Sequence, residues 1–143
     1  LAHDGKGLIL LCRTSNPGGS DLQFQTLANG DRLFEHIAKL AAGPWNRDQR
    51  LGLVVGATFP EELARVRALA PELPLLIPGV GAQGGDAAAT VQAAWRPDGP
   101  IIVNSSRAVL YAGSGEDFAS QARRVALATR DALAAARHKA LQP

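Results

Sequence analysis

Four short runs of unbroken apolar residues, each stopped by turn formers and followed by a helical repeat, constrain this 143-residue chain more than any other feature. They cover residues 7–13, 51–56, 73–77 and 100–103. They stop at Thr14-Ser15-Asn16-Pro17-Gly18-Gly19, at Ala57-Thr58, at Pro78-Gly79 and at Asn104-Ser105-Ser106-Arg107. A strand that is apolar in both side-chain directions is buried on both faces, as parallel strands between layers are. Between the runs the apolar spacing is helical. In 31–42 the residues Leu33, Phe34, Ile37, Leu40 and Ala41 share a face. Thr58, Pro60 and Glu61 have the spacing of a capped start for Leu63, Val66, Leu69 and Ala70, and Asp86 is placed to cap the stretch holding Val91 and Trp95. Ser114 and Asp117 repeat the capping-box spacing ahead of a long helix with Phe118, Ala122, Val125 and Leu133 along one side. The alternation predicts an α/β protein of four βα units with right-handed crossovers, either half of an eightfold barrel or a small open sheet. In both architectures the functional residues are those just after each strand.

Composition narrows the partners. Apolar residues make up 46% of the chain, enough for a core, and 15 basic against 13 acidic side chains give a formal charge of +2. The basic residues are scattered and do not interleave with aromatics, so no nucleic-acid footprint is expected. No apolar run approaches the ~20 residues of a membrane helix, so no membrane partner is expected either. The single cysteine, Cys12, lies inside an apolar run and reads as a small buried hydrophobe. One cysteine and no signal peptide predict a reducing, cytoplasmic setting, and no metal-ligand spacing is present. The chain opens on Leu1 and contains no methionine. It therefore reads as a piece of a longer protein or a processed product.

The densest chemical signal is Pro78-Gly79-Val80-Gly81-Ala82-Gln83-Gly84-Gly85-Asp86, between a strand and a helix. Glycines there let backbone N–H groups approach an anion closely, beside the positive end of a helix. Gly79, Gly81 and Gly84 also spell G-x-G-x-x-G, which keeps open an NADP-binding oxidoreductase fragment. Against that, a dinucleotide site needs an acid at the end of the next strand, and this one ends in Asn104-Ser105-Ser106-Arg107. Arg107 follows the last strand, where a guanidinium fork completes a phosphate site. Ser15 is a neutral donor and acceptor at a strand end; by itself it is an ordinary turn residue. Asp4-Gly5-Lys6 brings a carboxylate near an ammonium but precedes its strand, at the end of a barrel that serves stability. His3, His36 and His138 follow no strand. No acid–base or nucleophile constellation emerges, and a non-catalytic nucleotide-binding or scaffold domain remains an alternative.

Four segments resemble orotidine 5′-phosphate decarboxylase, especially its longer bacterial type. They are Arg13-Thr14-Ser15-Asn16-Pro17, Gly52-Leu53-Val54-Val55-Gly56-Ala57-Thr58, the stretch from Leu76-Ile77 through Pro78 to Asp86, and Asn104-Ser105-Ser106-Arg107. The resemblance implies that residues 1–143 are the C-terminal half of a TIM barrel, carrying its strands five to eight. It also implies a dimeric, cofactor-free and metal-free lyase of pyrimidine biosynthesis, which converts orotidine 5′-phosphate to uridine 5′-phosphate and carbon dioxide. By the same resemblance Gln83 and Arg107 hold the phosphate with backbone N–H groups around Gly84 and Ser106, Ser15 bonds the pyrimidine, and Pro78 and Val80 wall the pocket. The family's Asp-x-Lys-x-x-Asp array, carried after the third strand, has no counterpart here. No catalytic residue is therefore expected in this chain. It is expected to be inactive alone, and to pair with the missing N-terminal half or with a second copy.

Overall fold

The computed structural model describes residues 3–142; Leu1, Ala2 and Pro143 lie outside the described residues. Its strands are β1 (Leu8–Arg13), β2 (Leu51–Val55), β3 (Leu75–Pro78) and β4 (Ile101–Asn104). Its helices are α1 (Gly19–Gln23), α2 (Leu33–Ala42), α3 (Pro60–Leu69), α4 (Ala87–Ala94), α5 (Ser106–Leu110) and α6 (Phe118–Ala140). All strand pairs are parallel, in the order β1-β2-β3-β4. That order separates the two architectures left open by the sequence. A doubly wound sheet reverses direction at a central strand and takes helices on both faces. Strands laid down one after another with right-handed crossovers put every helix on the same face. Here α2, α3, α4 and α6 pack side by side in chain order, the arrangement of four consecutive units of a (β/α)8 barrel.

Register shows which face is which. The paired row Leu53, Leu75 and Ile101 and the residues Val55 and Ile77 point into the helix layer, and Leu53, Val55, Leu75 and Ile77 are fully buried there with Phe34, Leu63 and Val66. The next row, Leu11, Val54, Leu76 and Ile102, points the other way. Its two outer members are 61% and 59% exposed. Burial on both strand faces, expected from the apolar runs, is thus met on the helix side only. The inner face of the sheet is apolar and open.

Local signals explain the starts of three helices. Asp86 caps α4 through its carboxylate, which accepts from Ala89 N–H at 2.7 Å. At α2 the Glu35 carboxylate accepts from the Arg32 N–H at 2.9 Å. Thr58 does not cap α3. Pro60 is the first helical residue and holds Phe59, at φ −124° and ψ 86°, out of the helical region. The N-cap position therefore falls on Phe59, and the Thr58 hydroxyl is buried without a partner among the described residues. The box expected between Ser114 and Asp117 does not form either, because α6 begins only at Phe118, after Asp117. Phe118 is 60% exposed, so the apolar side of α6 begins at the half-buried Ala122 and Val125.

Candidate functional site

Parallel strands aligned in this register bring four separate loops to one edge. The Gly56 N–H donates to the Arg13 carbonyl at 2.8 Å, the Ala57 N–H to the Pro78 carbonyl at 2.9 Å, and Pro78 pairs with Asn104. The C-terminal ends of β1 to β4 therefore stand in a row, and the residues beyond them share one rim.

The glycine turn after β3 is held open by its own backbone. Gly79, Gly81 and Gly84 have φ of +106°, +85° and +89°, a region that costs any other L-residue strain. The Gly85 N–H donates to the Gly79 carbonyl at 3.0 Å, the Gly84 N–H to the Gly81 carbonyl at 2.8 Å, and the Gly81 N–H to the Gly85 carbonyl at 3.0 Å. These donors close the turn on itself, with the Gly84 N–H engaged inside the loop. Close approach is needed twice more. A Cβ on Gly79 would lie 2.9 Å from the Gln83 side-chain oxygen, and one on Gly85 would lie 2.7 Å from both the Ala57 Cβ and the Gly79 carbonyl oxygen. Gly79 thus leaves room for the Gln83 amide to fold back over the turn.

Pro78, Val80, Gln83, Ser106 and Arg107, with Asn104 and Ser105, line one small niche of about 50 Å³. Ser15, in the loop after β1, reaches its Gln83 wall: its hydroxyl donates to the Gln83 side-chain oxygen at 3.1 Å, across 68 residues of sequence. The expected residues are therefore brought together, Gly84 being in the turn wall. Arg107 is the one charged side chain among those lining the niche, and Val80 and Pro78 supply apolar surface. Larger cavities, of about 430 and 700 Å³, lie between α4 and α6 and below the strands' N-terminal ends. Neither contains a strand-end loop of this rim, so size does not mark the site here.

Two residues at the rim were not legible in sequence. The Ser105 hydroxyl donates to the Val80 carbonyl at 2.8 Å and ties the turn to β4. The Asn104 amide donates to the Ser106 hydroxyl at 3.1 Å, while its oxygen is buried without a partner among the described residues. A run of Asn-Ser-Ser marks a turn and says nothing about which hydroxyl reaches back. Asp4 is fully exposed and stands 3.9 Å from Arg50, before β1 and at the other end of the strands from the niche. Cys12 is buried, donates to the Phe34 carbonyl at 3.3 Å, and has its thiol pushed up to about 12 by burial. Among the described residues there is no group of three or more His, Cys, Asp or Glu placed to hold a metal, and no helix long and apolar enough to cross a membrane.

The family model described as Orotidine 5′-phosphate decarboxylase / HUMPS family matches residues 1–122. The orotidine 5′-phosphate decarboxylase of Methylibium petroleiphilum is 77% identical, over 96% of this chain and 52% of its own length. Among solved structures, Leishmania donovani OMP decarboxylase matches at 36% identity and a TM-score of 0.74, over 93% of this chain and 48% of that one. Leishmania donovani UMP synthase matches at 40% identity and a TM-score of 0.75, over 90% of this chain and 28% of that one. The chain spans about half the length of the curated relatives it matches. An NADP-binding fragment finds no support: the sheet has no reversal of strand order to form a dinucleotide crevice, and the relatives are decarboxylases. Nor do these relatives support a non-catalytic scaffold.

Proposed function

The chain belongs to the orotidine 5′-phosphate decarboxylase / HUMPS family, and from that premise we propose that it is the phosphate- and pyrimidine-holding half of a carboxy-lyase converting orotidine 5′-phosphate to uridine 5′-phosphate and carbon dioxide. The observation that carries this reading is that Gln83 and Arg107, from two neighbouring strand ends, line one niche, and that Ser15, from a third strand end, bonds to Gln83. A guanidinium fork and a carboxamide suit a phosphate dianion, which needs donors and positive charge at fixed directions. Ser15 stands beside Gln83, so its hydroxyl is placed to bond the pyrimidine of the same nucleotide. Pro78 and Val80 present apolar surface next to the position of the base. Holding a phosphate remote from the reacting bond is chemically useful, because that binding energy orders the reacting end.

Residues 1–143 then form the C-terminal half of a barrel domain, strands five to eight. The open row of Leu11, Val54, Leu76 and Ile102 supports this, since a sheet face of that kind is covered when four further strands close the barrel. The acid–base groups come from that other half, and this chain alone does not decarboxylate. We place the complete enzyme in the cytoplasm, as a homodimer working without cofactor or metal.

The test is thermal unfolding with uridine 5′-phosphate or NADPH. A ligand at 100 times its Kd stabilises the folded state by about 2.7 kcal/mol. Uridine 5′-phosphate should raise Tm, Arg107→Ala should remove the rise, and NADPH should leave Tm unchanged. No response to uridine 5′-phosphate, or a response only to NADPH, overturns the reading. Gel filtration showing a stable, non-aggregating monomer would count against the incomplete barrel.

A further inference from the structure

We infer that Arg13 and Gln23, which do not line the niche, are positioning residues that aim the Ser15 hydroxyl at Gln83. The inference rests on the reading of Ser15 and Gln83 as ligand-holding groups, and goes beyond it to how they are held.

The geometry begins in the sheet. The β1–β2 register runs one residue to one as far as Leu11 and Val54, then shifts so that Arg13 stands opposite Val55. The extra residue turns Arg13 towards the helix layer, a redirection that bulges commonly produce. Its side chain is 3% exposed and sits in a made-to-measure cage. Nε donates to the Glu62 carboxylate of α3, and Nη1 donates to the Thr14 carbonyl and to the Gln23 side-chain oxygen. The guanidinium carbon lies 4.6 Å from the Phe24 ring centre and 5.0 Å from that of Phe59.

Gln23, the last residue of α1, completes the grip. Its oxygen accepts from the Thr14 N–H at 2.9 Å, and its amide donates to the Thr14 hydroxyl at 3.0 Å. All three polar groups of Thr14 are therefore held by Arg13 and Gln23. Gly19 permits the approach: a Cβ there would lie 2.7 Å from the Thr14 hydroxyl and 2.9 Å from Arg13 Nη1. Ser15 is the next residue. Thr14 is fixed on one side and Gly56 packs close on the other, where a Cβ would be 3.1 Å from the Ser15 Cβ, and from this held backbone the hydroxyl reaches Gln83.

A buried ion pair adds little stability over apolar packing of the same volume. What Arg13 supplies that a leucine would not is direction, because its rigid fork bonds Glu62, Thr14 and Gln23 at set angles to one another. The loop after β1 is otherwise short and turn-rich, with no strand partner beyond Gly56. Losing the grip lets Ser15 swing, and Gln83 loses the donor that orients its amide.

The experiment is isothermal titration of uridine 5′-phosphate into the whole protein carrying Arg13→Met, Arg13→Lys or Gln23→Leu, each made in the parent and in a Ser15→Ala background. The effect acts through one neutral hydrogen bond, whose loss weakens binding by up to about 10-fold, so affinity should fall by roughly 3- to 10-fold for Arg13→Met. Arg13→Lys should restore part of it. In the Ser15→Ala background both Arg13→Met and Gln23→Leu should cost less than about 2-fold, because coupled residues do not add. A merely structural role would lower affinity equally in both backgrounds, and that result overturns the inference, as does unchanged affinity in a folded Arg13→Met protein. If Arg13→Met fails to fold, the Gln23→Leu pair decides by the same comparison. The site reading fails separately: it falls if Ser15→Ala and Gln83→Ala both leave uridine 5′-phosphate binding intact.

Discussion

Replacing Arg67 with methionine should destabilise the protein without touching the nucleotide site. Arg67 lies on α3, is 1% exposed, and has no carboxylate partner among the described residues; its guanidinium is spent on backbone carbonyls. Nε donates to Ala94 at 2.6 Å, Nη1 to Leu73, Pro71 and Ala70 at 2.8, 2.9 and 3.0 Å, and Nη2 to Gly99 at 3.1 Å. One side chain thus closes the C-terminal ends of α3 and α4 and the turns that lead into β3 and β4. Burial pulls its pKa down to about 10, with Arg96 adding to the effect, so it keeps its charge at neutral pH. A hydrogen bond to a charged group contributes ~1.5–3 kcal/mol, and each carbonyl left unpaired in the core costs ~1–3 kcal/mol. Against these stands the desolvation of the guanidinium, several kcal/mol, which the methionine variant no longer incurs. The balance is a loss of about 3–5 kcal/mol, the size reached when a buried hydrogen-bond network is broken and several carbonyls lose their donor. At ~2–4 °C per kcal/mol for a chain of this size, Tm should fall by roughly 6–20 °C. Arg67→Lys should recover only part of this, because an ammonium cannot span carbonyls on both sides of the helix. Guanidinium chloride unfolding followed by circular dichroism gives the stability, and uridine 5′-phosphate titration at low temperature gives the control. An Arg67→Met protein within about 1 kcal/mol of the parent would mean that the carbonyls are satisfied without the guanidinium, and the argument fails.

Two further outcomes follow from the same structure. Cys12, with its thiol pushed from 9.0 to about 12 by burial, should react with iodoacetamide at pH 8 about 10³-fold more slowly than an unperturbed thiol and become reactive on unfolding; prompt alkylation of the folded protein would contradict this. Glu35 has its carboxyl held below the usual 4.5, first by the Arg65 hydrogen bond and then by the Arg32 N–H. A depressed carboxyl adds stability that is full above the unfolded value and is lost as pH falls through the folded one. Glu35→Gln should therefore cost about 0.5 kcal/mol at pH 7, the size of an exposed pair. The difference should shrink below pH 4.5, and a gap that persists at pH 2.5 would show the cost to be one of packing.

The sequence by itself determined what is local. Four strands, the capped start of α4 at Asp86 and a glycine turn between β3 and α4 each depend on residues within a few positions of one another, and the structure has all of them. Proline geometry was local too, but it acted against the expectation: Pro60 moved the cap of α3 off Thr58. What only the tertiary structure decided is everything that depends on which strands are neighbours and in what register. Strand order made one sheet face buried and the other open, although both read as equally apolar along the chain. The shift after Leu11 turned Arg13 towards the helix layer, and no pattern around Arg13 announces that. Ser15 and Gln83, or Arg67 and the Gly99 carbonyl, meet because the chain returns to the same edge of the sheet, 68 and 32 residues later. Side-chain chemistry says what such groups will do on meeting. Register decides that they meet.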